Sequence, residues 1–330
     1  MDFFQFPKVE LHLHLDCSLS YSVVSQLNPT ITHEEYLETF IMPDKCLNLT
    51  DGLKYARREI DLMQTEDALR LVTKDLFKQL QKDNILYVEI RFAPLLHTEG
   101  GLSPENVVAA VEAATRAASQ ETGIQARLIL CTLWHYLRPQ SLQTVKLVEQ
   151  FKDSLVIGFD IAGDECNFPI DEHIPAFEYA AAHNIPCTSH AGEALGSERV
   201  WEVLQYFHPL RLGHGVRSIE DPALLEHLHQ HNIHLEICPT SNVKTDIYKT
   251  YADHPVRNLY EAGLSVGINP DAYTLIGITL TQEYEKLHQT FGWGKAQFLH
   301  CNLNAIKAAF IPEAAKKPLI DRLQEAYQAL

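Results

Sequence analysis

The sequence predicts an α/β chain folded as a TIM (β/α)8 barrel, and three observations predict it. Eight short runs rich in Val, Ile and Leu alternate with longer stretches of helical periodicity, as in a parallel sheet with crossover helices. The runs are Val9 to Leu15, Ile85 to Pro94, Ala126 to Trp134, Val156 to Ala162, Ile185 to Gly192, Arg211 to Gly215, His234 to Thr240 and Leu264 to Asp271. After the second run their starts settle at the spacing of one βα unit, and eight such units close on themselves.

The first connection is the exception to that spacing. About 70 residues separate the first two runs, far beyond an ordinary loop, which predicts a helical insertion at about residues 17–84 covering the barrel mouth. Within it Tyr55 to Asn84 reads as helical, with Leu69, Val72, Leu76 and Leu80 on one stripe. Further along, Ser103-Pro104-Glu105 opens a helix that runs through Val107, Val108, Val111 and Ala114 to a stop at Gly123. Asp171 to Asn184, Ser197 to Phe207, Asp221 to Asn232, Asp253 to Ala262 and Thr279 to Phe291 suit an outer ring, and the last residues, about 294–330, form C-terminal helices. No Gly/Ser linker, repeat or low-complexity tract divides the 330 residues, so a single domain, 1–330, is expected.

Composition narrows the function classes. Hydrophobic residues make up 46% and charged residues 21%, ordinary for a globular protein. With 27 Lys and Arg against 43 Asp and Glu the formal charge is −16, so nucleic acid and anionic membranes are not expected partners. The N-terminal residues lack a basic stretch followed by an apolar run, and a cytoplasmic location is the expectation. Seven scattered cysteines with no CxxC pair suggest neither a disulfide framework nor a thiolate zinc site.

The chemistry gathers at strand ends. In Glu10-Leu11-His12-Leu13-His14-Leu15-Asp16 the two-residue period places His12 and His14 on one face, pointing into the barrel. That interior is ordinarily filled with Val, Ile and Leu, so two histidines there call for a compensating partner, of which a divalent metal is the simplest. Strand five ends Thr188-Ser189-His190-Ala191-Gly192-Glu193 and strand eight ends at Asp271, and strands one and eight are neighbours in a closed barrel. Three imidazoles and a carboxylate match Zn²⁺ with water in the remaining position. His214, between Gly213 and Gly215, reads as a general base exposed in the cavity. Asp160 shares the inward parity and is a candidate substrate-binding residue, Gly163 could bring its backbone to a ligand, and Asp164 with Glu165 reads as the solvated first turn of the next helix. No lysine at that strand end supports a two-metal centre. His227, His229, His231 and His234 read as a solvated helix face.

Five ordered motifs, PKVELHLHLD at 7–16, DIAGDE at 160–165, SHAGE at 189–193, RLGHG at 211–215 and CPTSN at 238–242, together with YVEIRFAP at 87–94, resemble the adenosine deaminase family of metal-dependent amidohydrolase barrels. The resemblance implies that His12, His14, His190 and Asp271 hold one Zn²⁺ per chain, that Glu193 protonates the purine at N1, and that His214 and Asp271 help to activate and orient the attacking water. It also implies that Asp16 contacts the ribose and that the Gly163 backbone contacts the purine N3.

Two departures bear on substrate. The family's strand-eight motif has two adjacent aspartates, where this chain has Asp271-Ala272-Tyr273, and in the family the second carboxyl bonds the purine N7. An unpaired buried acceptor costs about 1 to 3 kcal/mol. Cys17 stands where the family has glycine, and Tyr55 to Asp61 does not match the apolar pocket segment. Three readings stay open: deamination of adenosine or a modified adenine nucleoside, with Tyr273, Thr274 or water replacing the lost contact; deamination of another amino-heterocycle; and a non-catalytic barrel that binds a nucleoside or a partner protein.

Overall fold

The structure, a computed structural model, describes residues 1–330. Its eight parallel strands follow the eight apolar runs: β1 (Lys8–His14), β2 (Ile85–Phe92), β3 (Gln125–Leu133), β4 (Val156–Ala162), β5 (Thr188–Ala191), β6 (Arg211–His214), β7 (His234–Ile237) and β8 (Val266–Ile268). Strands β1–β4 form one sheet in sequential order and β5–β8 a second. The sheets meet at two seams. At one, Phe159 pairs with Cys187; at the other, Leu13 pairs with Asp271 and the His14 N–H donates to the Asp271 carbonyl at 2.8 Å.

Regular pairing in β8 stops at Ile268, three residues before the expected end, for a chemical reason. Pro270 has no N–H to offer a neighbour. The side chain of Asn269 substitutes, its Oδ1 accepting the N–H groups of Leu11 (2.8 Å) and His12 (3.2 Å). This stitch brings the start of the β8 loop, and with it Asp271, against the end of β1.

The helices form where caps and periodicity place them. Ser103 accepts the Asn106 N–H to open Pro104–Thr122, which ends at Gly123 with φ +74°. Within the insertion, helices run over Tyr21–Leu27, His33–Thr39, Leu49–Leu53, Ala56–Leu62 and Glu66–Lys82. The expected continuous helix from Tyr55 is therefore broken: Thr65 is extended and caps Ala68, starting a new helix. The stripe of Leu69, Val72, Leu76 and Leu80 is buried as expected. C-terminal helices Lys295–Ala308 and Glu313–Ala329 pack against the barrel base, where Asn302 Oδ1 accepts the Val9 N–H at 2.8 Å. No helix is long and apolar enough to cross a membrane.

The barrel interior departs from the expectation of aliphatic filling. Arg91 (β2) pairs with Asp160 (β4) at 2.7 Å and with Glu236 (β7) at 2.6 Å, while Arg211 (β6) pairs with Glu236 and Glu89, both at 2.7 Å. All five side chains are sealed from solvent. Charges this deep persist only when each finds a partner, and the planar guanidinium can serve two carboxylates at once.

Candidate metal centre and active site

That charged layer is the floor on which the histidines stand. Glu236 lies 2.9 Å from His12 Nδ1, and Asp160 lies 3.1 Å from His190 Nδ1. Each carboxylate accepts a hydrogen bond from the Nδ1–H, so each ring presents the Nε2 lone pair to the barrel axis. His14 faces the same point, its Nδ1 turned towards Asp16 at 3.9 Å. Burial pushes the His14 and His190 imidazoles down, His14 to about 3, which keeps them neutral and able to ligate.

The convergence is close. His14 Nε2 and His190 Nε2 are 3.2 Å apart, while Asp271 Oδ1 is 3.5 Å from His12 Nε2 and 3.6 Å from His14 Nε2. Vertices of a tetrahedron around an ion bound at about 2.1 Å stand about 3.4 Å apart. His12 Nε2 is buried without a hydrogen-bond partner, and a His190 ring that donates through Nδ1 faces His14 with a lone pair. A divalent cation resolves both problems, so the donor set fits one. Burial works against an ionised Asp271, but the His12, His214 and His14 rings beside it hold its carboxyl well below the usual range.

Backbone at these positions is specialised. Asp271 (φ +71°) and His214 (φ +60°) both occupy the left-handed region, a conformation costing non-glycine residues of order 1 to 2 kcal/mol. A Cβ on Gly213 would lie 3.0 Å from His12 Cε1, and one on Gly215, itself at φ +65°, 2.7 Å from Leu235. The glycines flanking His214 thus leave room for the histidine cluster and the β7 side chains.

Glu193 is buried at the end of β5, with Oε2 3.6 Å from His214 Nε2. Burial, together with the charges of Asp271 and Glu165, pushes its carboxyl well above the ordinary value, which favours the protonated acid. Asn242, buried in the helix Pro239–Lys244 after β7, contacts both Glu193 Oε1 (3.2 Å) and His214 Nδ1 (3.1 Å).

Several sequence expectations are corrected here. Asp160 does not face a ligand: it lies beneath the histidines, held by Arg91 and His190, because a carboxylate at that depth needs the guanidinium. Asp164 and Glu165 are not a solvated turn. Asp164 is nearly buried and accepts hydrogen bonds from Thr50 in the insertion, from Asn167 and from the Cys166 N–H, and Glu165 is sealed beneath the loop that bears Glu193. The Tyr273 hydroxyl points away, 2.6 Å from Glu10 and 3.0 Å from Asp83, and Thr274 donates to the Leu19 carbonyl, so neither reaches the cavity. His234 leaves the expected solvated face altogether, being buried on β7 against Ser265.

The cavity above the cluster is bordered by Gly163 (φ +89°), Cys17, Ala272, Met42, Leu275 and Ile276. It adjoins a chamber of about 470 Å³ with Asp16, Asp164, Leu53, Ala56, Ile60 and Phe168 in its wall. The helix Ala56–Leu62 therefore supplies apolar pocket residues despite its poor motif match. Asp16 accepts the Ala93 N–H at 3.1 Å. Motif reading assigned nothing to Glu236, Arg91 and Asn242, which hold the side chains of the site in place; the inward parity of Glu236 in His234-Leu235-Glu236-Ile237 was the available signal.

Residues 7–326 match the family described as adenosine deaminase. An adenosine deaminase of Lacticaseibacillus paracasei is 37% identical over 329 residues, covering 98% of this chain and 97% of that one. Among solved structures, a zinc-bound amidohydrolase of Burkholderia ambifaria superposes with a TM-score of 0.89 at 23% identity, over 99% of this chain and 94% of that one. The Arabidopsis N6-mAMP deaminase superposes at 0.87 and 24% identity over the whole of both chains. The structures speak for the fold and the sequence relatives for descent: the chain belongs to the adenosine deaminase family.

Proposed function

We propose that the protein is a zinc-dependent hydrolytic deaminase of adenosine or a closely related neutral adenine nucleoside, releasing ammonia. Membership of the family makes it a hydrolase acting on C–N bonds. The observation that carries the finer reading is that the His12, His14 and His190 rings face one another while Asp271 stands 3.5 and 3.6 Å from the first two, with Glu193 and His214 on the rim. One Zn²⁺ held by those four residues would supply Lewis acidity, lowering the pKa of water from 15.7 toward about 7.

The chain's own residues do the rest. Asp271, ionised and fixed by the Ser241 hydroxyl at 2.7 Å, orients the attacking water and can accept its proton. A neutral aromatic ring resists addition, so Glu193 delivers its proton to the ring nitrogen next to the amine-bearing carbon. Asp271 then hands the proton it took from the water to the amine, the C–N bond breaks with its electron pair going to nitrogen, ammonia leaves, and the proton of the added hydroxyl returns to Glu193 as the ring carbonyl forms. Asp16 and the Gly163 backbone line the chamber where the sugar and the far ring edge would lie.

Charge favours a nucleoside over a nucleotide. The chamber wall holds the carboxylates Asp16 and Asp164, and the lysine at its edge, Lys54, is 71% exposed and pairs with Asp51. A 5′-phosphate would meet like charge without a buried cation. A second reading, an amino-heterocycle with no N7-type acceptor, is favoured by Ala272, which packs among Met42, Leu275 and Ile276 in place of a carboxyl. Following ammonia release from a panel of aminopurine bases, nucleosides and nucleotides and of aminopyrimidines, with zinc measured by elemental analysis, tests both. Activity confined to neutral nucleosides, lost in Glu193→Gln with zinc retained, is the expected result; a metal-free protein with no ammonia from any compound refutes the proposal.

A further inference from the structure

We infer that His254 and Asn242 form a positioning relay that locks the tautomer of His214, so that His214 presents an N–H rather than a lone pair to the cavity. The relay starts from a group with no choice of role. The backbone N–H of Val256 can only donate, and it lies 3.1 Å from His254 Nδ1, which therefore accepts. His254 is buried, and burial alone pushes its imidazole down to about 3, so the ring is neutral and its single proton sits on Nε2.

That proton fixes the next member. His254 Nε2 faces Asn242 Oδ1 at 3.2 Å, which assigns oxygen and nitrogen of the amide without recourse to its immediate surroundings. The amide NH₂ is then turned towards Glu193 Oε1 at 3.2 Å and His214 Nδ1 at 3.1 Å, and has one hydrogen for each. Both must accept. Asn242 is sealed from solvent, so no water can take over either bond.

Two consequences reach the chemistry. A neutral His214 that accepts at Nδ1 has its proton on Nε2, the nitrogen nearer Glu193 Oε2. It acts as a donor that stabilises negative charge in the cavity, and the general-base role expected from the sequence passes to Asp271. Since Glu193 Oε1 is occupied as an acceptor, the transferable acid proton is on Oε2. The relay thus selects which oxygen delivers the proton.

The test is nitrogen-15 NMR of the histidines in the zinc-loaded full-length protein, with His214 and His254 assigned by loss of signal in His214→Gln and His254→Gln. Both rings should show a pyrrole-like Nε2 and a pyridine-like Nδ1. In Asn242→Asp the carboxylate cannot donate, and the His214 pattern should invert, with roughly a hundredfold loss in kcat, KM changed less than about threefold, and zinc content unchanged. His254→Gln, which can still offer an N–H to Asn242, should keep at least about a tenth of wild-type kcat, whereas His254→Phe should fall with Asn242→Asp. A proton on His214 Nδ1 in the wild-type protein, or an Asn242→Asp variant with the wild-type spectrum and rate, overturns the relay. The activity arm rests on the deaminase reading; the wild-type spectrum does not, so failure of one is distinguishable from failure of the other.

Discussion

Glu165 accepts the backbone N–H of Glu193 at 2.9 Å, and the same carboxylate takes the N–H groups of Gly192, Ala194 and Leu195 at 3.1, 2.6 and 2.7 Å. Four donors on one buried anion fix the loop that presents Glu193. Charge-assisted bonds are about twice as strong as neutral ones, and Gln in this place loses the charge and turns an NH₂ towards backbone donors. Glu165→Gln should therefore lower stability by about 2 to 4 kcal/mol in denaturant unfolding. It should also lower kcat/KM roughly ten- to a hundredfold at unchanged zinc content, since the acid loses its fixed position. A variant with wild-type kcat/KM would refute the positioning role.

Metal affinity should depend on a residue that touches no metal. Glu236 fixes the His12 ring by accepting from Nδ1 and is itself held by Arg91, Arg211 and the Thr188 hydroxyl. Burial opposes its ionisation, but the two guanidiniums hold its carboxyl well below the usual range. Glu236→Gln should weaken zinc binding about 10- to 100-fold in a chelator competition. It should also cost about 3 to 5 kcal/mol of stability, because both arginines lose a buried partner. Unaltered zinc affinity would show that His12 is oriented without Glu236.

How much of this was legible in the sequence depends on what each residue answers to. The strands were legible because buried parallel strands are continuous runs of Val, Ile and Leu, and the inward-facing histidine pair because His12 and His14 alternate in one of them. Arg91, Arg211 and Glu236 sit in strands where a charged residue reads as an interruption; Arg211 meets Glu236 at 2.7 Å between the neighbouring strands β6 and β7, and the barrel's curvature brings Arg91 of β2 to within 2.6 Å of the same carboxylate. Glu165 failed for a related reason. An acid after a strand resembles an N-terminal helix turn, yet here the next helix begins only at Ile174 and the carboxylate serves a different strand's loop. Asn242 was visible inside CPTSN, but its role depends on His254, twelve residues on and meeting it only through the turn after Lys244.

Ala272 defines a specificity prediction. It is buried beside Met42, Leu275 and Ile276, at the position where the family has a carboxyl for the purine N7. A site with nothing to bond at N7 gains little from that nitrogen. Adenosine and 7-deazaadenosine should therefore be turned over with kcat/KM values within about threefold of each other, a difference under 1 kcal/mol. Ala272→Asp should shift the ratio towards adenosine by about tenfold or more, and should cost about 2 to 4 kcal/mol of stability when no substrate is bound, because the carboxyl enters an apolar wall. A strong wild-type preference for adenosine would mean that another group meets N7.

Acid sensitivity of the fold should trace to neutral histidines far from the mouth. Burial, helped by the nearby Arg211, lowers His234 to about 3; its Nδ1 is 2.9 Å from Ser265 Oγ and its Nε2 is packed against Gly267 without a partner. In the unfolded chain the same side chain titrates near 6.5. Between those values the unfolded state binds the proton and the folded state does not, so the stability present above pH 6.5 is lost as pH falls from 6.5 towards 3. The slope is about 1.4 kcal/mol per pH unit for this residue, or about 2 kcal/mol between pH 7 and pH 5. His254, also lowered to about 3 by burial, has the same sign. Urea unfolding of the wild type and of His234→Gln at pH 7, 6 and 5 isolates the term, because every other titrating group is common to both. The stability gap between the two should shift in favour of the variant by about 1.4 kcal/mol for each unit below 6.5. A gap independent of pH would place the His234 proton in the folded state as well.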